Sequence, residues 1–293
     1  MTSYKSTCRI CGSRRLRRFA KKNGFELERC QTCHLVQVAD NLSGLSLDEI
    51  YGREFFNDEY TWVHSERGRR SEYKKSDSRL QEIERLRPGG GAILDVGCSF
   101  GFFLNVARSR GWHSIGIDIG EYAADFARRN LDLEVYTSDV KSAPLPDGYF
   151  DAITMWNVVE HLLDPLGDFK RVNELLKKGG LVVFTTGDVG SYMAKLFGRK
   201  WRMFIPPIHV VNFHMRSVEA LLASTGFSLL LKTVALPKEP LLARLKLLGI
   251  LRKLEFSDKM LVFARKEHDL QSHHEHSGGA HGDYRLQNRR EHR

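Results

Sequence analysis

Short apolar runs alternate along this chain with stretches at helical spacing. The clearest run is Ala92–Val96, Ala-Ile-Leu-Asp-Val, which predicts a buried parallel strand. Residues 102–110 then place Phe103, Leu104 and Ala107 at helical spacing, and 114–118 is a second strand ending on Asp118. The pattern continues as helix 121–130, strand Glu134–Thr137, a loop over 141–148 marked by Pro144, Pro146 and Gly148, and strand 150–155. Asp164 and Pro165 open the next helix, with Pro165 at its first position and Leu166, Phe169, Val172, Leu175 and Leu176 on its apolar face. Lys177-Lys178-Gly179-Gly180 is expected to close it, and 181–185 is a fifth strand. A helix over 217–226 and a last strand over 259–264 complete the series. Strand–helix repetition of this kind predicts an α/β fold built on a doubly wound parallel sheet.

The flanks read differently. Residues 41–91 form a linking segment. It holds a short helix candidate over 45–51, an aromatic cluster of Tyr51, Phe55, Phe56, Tyr60 and Trp62, and a charged stretch over 64–75 with no assigned element. Helical spacing returns over 78–86 through Leu80, Ile83 and Leu86, and Pro88-Gly89-Gly90-Gly91 ends it. Toward the other end, 241–254 is a leucine-rich helix candidate inserted before the last strand. Arg244, Lys246, Arg252 and Lys253 scatter around its wheel, so packing on the core is the reading, with peripheral membrane contact the alternative. Residues 267–293 have no apolar period and are expected to be disordered. The resulting division is a head over 1–40, a helical linker or lid over 41–91, a main domain over 92–266 and a tail over 267–293.

The formal charge of +9 changes the picture little once located. Lys5, Arg9, Arg14, Arg15, Arg17, Arg18, Lys21 and Lys22 supply nearly all of it, leaving the main domain close to neutral. Nucleic acid or an anionic substrate could meet that basic head; a solvated loop is the simpler reading. No apolar run is long enough to span a bilayer and no signal-peptide pattern opens the chain, so a cytoplasmic protein is expected. Four of the five cysteines form two Cys-x-x-Cys pairs, Cys8 with Cys11 and Cys30 with Cys33. This spacing matches a Cys₄ zinc ribbon, with Phe25, Leu27, Leu35 and Val38 as its small core. His34 stands where the second knuckle usually has glycine, which leaves a Cys₃His set open.

The first strand feeds the loop Asp95-Val96-Gly97-Cys98-Ser99-Phe100-Gly101, in which Gly97 and Gly101 bracket a turn where side chains would obstruct a ligand. Strand, glycine loop, helix, strand and acid make a nucleotide-binding βαβ unit. A carboxylate at Asp95 would repel phosphate and suits a ligand with an ammonium group. At these residues the chain resembles the class I S-adenosylmethionine-dependent methyltransferases, with Ser99 where many members have glycine. The segment Phe150-Asp151-Ala152-Ile153 through Val159-Glu160-His161-Leu162 to Pro165 resembles a second block of the same family. Pro206-Pro207-Ile208-His209 with Phe213 is similar to one branch, whose members often carry a cysteine-rich head and act on sugars or other small metabolites.

The resemblance implies a seven-stranded, Rossmann-like sheet, S-adenosylmethionine as cofactor and a small-molecule methyl acceptor. It implies that Asp95, Gly97, Ser99, Gly101, Asp118, Ile119, Asp139, Val140 and Asn157 bind the cofactor. Asp118 would meet the ribose hydroxyls and Asp139 the adenine. Thr186, Asp188 and Tyr60 are candidate acceptor contacts. A hydroxyl or acidic C–H acceptor needs a general base near neutrality, and His209 and His161 are the candidates. Two alternatives stay open: an RNA methyltransferase guided by the basic head, and a non-catalytic zinc-binding adaptor.

Overall fold

A computed structural model describes residues 7–39, 61, 65–234 and 258–269. The helix candidate over 45–51, the aromatic cluster with Tyr60, the 241–254 helix and the tail after 269 lie outside the described residues. Among the described residues, no helix is long and apolar enough to cross a membrane.

The head folds as β1 (Leu16–Lys22), β2 (Phe25–Cys30) and β3 (Val36–Val38). β1 and β2 pair antiparallel through the turn at Asn23-Gly24, both with positive φ. Leu27, Leu35, Val36 and Val38 are almost fully buried, so the expected small core forms. Its sheet is not self-contained. A fourth strand, supplied from the main domain by Val211–Asn212, pairs antiparallel with β3.

The charged stretch upstream of residue 78, given no element from the sequence, is helical. α1 spans Glu66–Leu86, with Ser65 Oγ accepting from Gly68 N at 3.0 Å as N-cap. Long unbranched Glu, Lys and Arg side chains favour helix, and pairs such as Lys75 with Glu72 (3.0 Å) support it. Only the Leu80 and Ile83 side had an apolar period to read.

The main sheet follows as β4 (Ala92–Val96), α2 (Phe102–Ser109), β5 (His113–Asp118), α3 (Glu121–Leu131), β6 (Glu134–Thr137) and β7 (Phe150–Trp156). After a 3₁₀ turn at Val159–His161 come α4 (Pro165–Leu175), β8 (Leu176–Gly187), α5 (Tyr192–Phe197), β9 (Val211–Asn212), α6 (Met215–Ser224), β10 (Phe227–Val234) and β11 (Lys259–Lys266). The seven strands lie in the order β10-β11-β8-β7-β4-β5-β6. β4 to β8 pair in parallel as expected. β11 is antiparallel to both β8 and β10, so the sheet is mixed rather than wholly parallel. Val234 faces Met260, so β11 re-enters at the end where β10 leaves and must run back along it.

A second difference concerns Lys177-Lys178-Gly179-Gly180. These residues do not cap α4; the helix stops at Leu175 and the chain turns directly into β8. Phe150 pairs with Leu176, and Lys177 Nζ donates to Asp151 Oδ2 at 2.8 Å, so tertiary pairing overrides the local capping signal. At the other end of α4 the capping signal holds: Asp164 Oδ1 accepts from Gly167 N at 3.1 Å, with Pro165 in the first turn.

Candidate functional site

A cavity of about 380 Å³ opens at the carboxyl ends of β4, β5 and β7, where ligands bind in open α/β sheets. The glycine loop forms one wall. Gly97 has φ 69° and Gly101 φ 77°. A Cβ on Gly97 would stand 2.5 Å from Val158 Cγ2, and one on Gly101 2.6 Å from Leu133 Cδ1. Side chains at these positions therefore meet the protein itself before any ligand. Asp118, buried at the end of β5, accepts from Ser99 N through Oδ2 and from Gly120 N through Oδ1, each at 2.8 Å. Burial raises its pKa, and those two backbone donors pull it back toward the ionised form.

Asp95 is 1% exposed. Burial pushes its carboxyl up to about 8, opposed by the Thr154 hydroxyl, which donates at 2.6 Å, and by nearby Arg79. The Arg79 guanidinium lies 4.1 Å above the centroid of Trp156, a cation–π contact. Burial takes Arg79 down to about 10, with Asp95 and Glu72 opposing. Asn157, with φ 59°, accepts from Lys259 Nζ at 2.6 Å.

The opposite wall comes from the turn at Val159–His161 and the loop at 205–209. His161 Nδ1 donates to Ile208 O at 2.9 Å, and His209 Nδ1 to Met203 O at 2.7 Å. The two rings meet edge to face with centroids 4.9 Å apart. Burial holds His209 down to about 3, reinforced by His161. Glu160 is 2% exposed, and Val210 N donates to its backbone carbonyl at 2.9 Å, tying the turn to the loop.

Of the sequence-derived residues, Asp95, Gly97, Ser99, Gly101, Asp118, Ile119, Asn157, His161 and His209 line one cavity. Asp139 and Val140 do not. Asp139 is exposed and accepts from Lys141 N and Ser142 N, closing its own turn. Thr186 and Asp188 do not line it either; Asp188 is buried and accepts from Gly190 N at 2.7 Å and Lys232 Nζ at 3.2 Å. Glu72, Lys75, Ser76 and Arg79 line the cavity and were not anticipated. Their spacing is a polar helical stripe, legible only once α1 is extended upstream of residue 78.

The head carries a second cluster. One sulfur from each of Cys8, Cys11, Cys30 and Cys33 lies within 4.8 Å of the others. Cys8 Sγ is 3.4 Å from Cys33 Sγ, and Cys11 Sγ is 3.6 Å from Cys30 Sγ. All four are free thiols. Tetrahedral zinc at about 2.3 Å from each sulfur needs sulfurs about 3.8 Å apart, so the set fits that ion. A hydrogen bond from the Cys33 thiol holds Cys8 below the usual thiol range. His34 is not in this set. It has φ 64°, and its Nε2 accepts from Arg216 Nη1 at 3.1 Å, which removes the Cys₃His alternative.

Residues 66–232, more than half of the chain, match the family described as a methyltransferase domain. The ubiquinone biosynthesis O-methyltransferase of Acinetobacter baylyi is 29% identical over 147 residues, covering 46% of this chain and 62% of that protein. The chain thus spans less than two thirds of this relative's length. The fold resembles a solved methyltransferase of Thermotoga maritima, titled a possible histamine N-methyltransferase (TM-score 0.54, 21% identity, 75% of this chain and 100% of that one). It also resembles an S-adenosylmethionine-dependent methyltransferase of Archaeoglobus fulgidus (TM-score 0.53, 23% identity, 72% and 99%). With its βαβ glycine loop, buried Asp118 and seven-stranded mixed sheet, the chain belongs to the methyltransferase-domain family and has the class I S-adenosylmethionine-dependent fold.

Proposed function

We propose that this protein transfers a methyl group from S-adenosylmethionine to a small-molecule acceptor, a sugar or a precursor of a polysaccharide or natural product. The carrying observation is one continuous cavity with the glycine loop and Asp118 on one side and His161 and His209 on the other. The cofactor supplies, when bound, a methyl carbon made electrophilic by its sulfonium. The residues present fit it. Ser99 Oγ and Trp156 Nε1 are buried without a hydrogen-bond partner among the described residues, and both residues line the cavity, leaving polar capacity for a ligand. Asp118 would hold ribose hydroxyls on its remaining lone pairs, and Asp95 would face the ammonium end, where a cation restores its charge.

The acceptor then lies against Ile205, Ile208 and the two histidines. His209, neutral near pH 7 and weakly basic, suits a lone-pair or hydrogen-bonding role better than proton abstraction. That leaves His161 as the candidate base. The small-molecule reading is also supported by the head, where Arg9, Arg18 and Lys22 are engaged within the protein. They donate to Leu163 O (2.9 Å), Glu26 (2.7 Å) and Trp201 O (3.3 Å).

The test is product mass analysis after incubation with S-adenosylmethionine and a panel of nucleotide sugars. One added methyl on a sugar supports the acceptor class. Methyl transfer to RNA alone, lost when Arg14, Arg15, Arg17 and Arg18 are neutralised, would replace it.

A further inference from the structure

The wall facing the glycine loop contains a buried group that the methyltransferase reading does not use. Glu160 is 2% exposed, yet among the described residues neither carboxylate oxygen has a hydrogen-bond partner. A carboxylate removed from water without donors costs several kcal/mol, so such a group calls for a counter-charge. Lys259 is the nearby cation: its Nζ donates to Asn157 Oδ1 at 2.6 Å, and burial lowers its pKa with Glu160 opposing.

Two histidines converge on the same point. One ligand atom from each of Glu160, His161 and His209 lies within 4.8 Å of the other two. Both imidazoles give Nδ1–H to a backbone carbonyl, of Ile208 and of Met203. That is the arrangement by which metal-binding histidines are oriented, with the second nitrogen turned to the ion. The Val210 N–Glu160 O bond holds the two supporting segments in register. We infer that Glu160, His161 and His209 form a two-histidine, one-carboxylate site for a divalent first-row transition cation at the acceptor end of the cavity.

The donor set selects the class of ion. Two imidazoles and one carboxylate suit Mn²⁺, Fe²⁺, Co²⁺ or Zn²⁺ and leave coordination positions open. Bonds of about 2.1 Å place ligand atoms about 3–3.5 Å apart, inside the 4.8 Å that bounds the present separations. The cavity side of the ion would take oxygens of a hydroxylated acceptor; this role rests on the proposed function, whereas ion binding does not. A coordinated hydroxyl gives its proton to water more readily because the cation stabilises the alkoxide. With the ion bound, His161 is a ligand, and solvent takes the place of a histidine base.

The experiment is a Mn²⁺ titration of the full zinc-loaded protein followed by electron paramagnetic resonance. Mn²⁺ prefers nitrogen and oxygen donors over the cysteine cluster. Expected are one bound Mn²⁺ per chain, imidazole nitrogen couplings in the pulsed spectrum, and affinity lowered about tenfold or more in Glu160→Gln and in His209→Ala. Retained S-adenosylmethionine affinity shows that the variants are folded. No Mn²⁺ binding below millimolar, absent imidazole couplings, or unchanged affinity in folded variants overturns the site. In the wild-type protein, turnover that falls with a chelator and returns with Mn²⁺ supports the activating role, and chelator-insensitive turnover overturns that role. If Mn²⁺ binds with imidazole couplings while no sugar is methylated, the acceptor reading fails and the site stands.

Discussion

The two walls of the cavity are assembled in different ways. The wall proposed for the cofactor is one contiguous βαβ unit: Asp95, the glycine loop and Asp118 are linked by β4, α2 and β5, and the loop amide of Ser99 is itself the donor to Asp118. The wall proposed for the acceptor is gathered from distant segments. Its turn at Val159–His161 hangs on the loop at 205–210, and that loop leads into β9, which pairs with β3 of the cysteine head. Asn23 Nδ2 donates to Pro206 O at 3.0 Å, and Phe19 packs edge to face on Phe204, so the head supports this loop along its length. A wall made within one supersecondary unit forms wherever that unit folds. A wall made by tertiary packing depends on every layer beneath it, here down to four cysteines.

The comparison can be broken most directly at Asp118. Asp118→Ala removes a buried charged acceptor with two backbone bonds, and S-adenosylmethionine affinity measured by calorimetry should fall about hundredfold or more, about 3 kcal/mol. Unchanged affinity would remove the cofactor wall from the site.

Asp95 tests the same wall through stability. Its carboxyl is raised to about 8 in the folded chain, against about 3.9 unfolded. Below pH 4 both states hold the proton and burial carries no ionic penalty. Between pH 4 and 8 the unfolded state gives up its proton first, so wild-type stability is lost as pH rises. Asp95→Asn keeps the Thr154 hydrogen bond and has no charge to desolvate. The ligand-free variant should therefore exceed wild type in denaturant melts by a margin that grows from pH 4 to 8, reaching about 5 kcal/mol at most. A margin independent of pH would count against the burial account.

The acceptor wall is probed from the head. Cys30→Ser should loosen the four-cysteine cluster and with it the β3–β9 pairing. Turnover should drop about tenfold, about 1.4 kcal/mol, while S-adenosylmethionine affinity stays within about threefold. Equal losses in both would show that the two walls are not separately supported. The smallest effect is expected at Ser65→Ala, which removes the cap of α1 and should cost about 1 kcal/mol in thermal melts.

Much of the cofactor wall was legible in order along the chain. The run Ala92–Val96, the glycines and Asp118 are near neighbours, and nearness in sequence becomes contact through one helix and two strands. The Cys₄ set was legible for the same reason, since each Cys-x-x-Cys pair is a local turn. The reach of α1 was not, because its first half carries charge rather than an apolar period, and the cavity stripe of Glu72, Lys75, Ser76 and Arg79 went with it. Thr186 and Asp188, read as acceptor contacts from their place after a strand, are buried and do not line the cavity; β8 runs on to Gly187 beside antiparallel β11.

The sequence by itself determined the βαβ unit with its glycine loop, the strand–helix order and the four-cysteine cluster, because each depends on interactions spanning a few turns of chain. Only the tertiary structure decided that β11 runs antiparallel and that the head sheet is completed by Val211–Asn212. It alone decided that His34 turns to Arg216 and that Glu160, His161 and His209 meet at one point. Those outcomes follow from which distant surfaces pack together. A local hydrophobic period says which face of a segment is buried, but not against what.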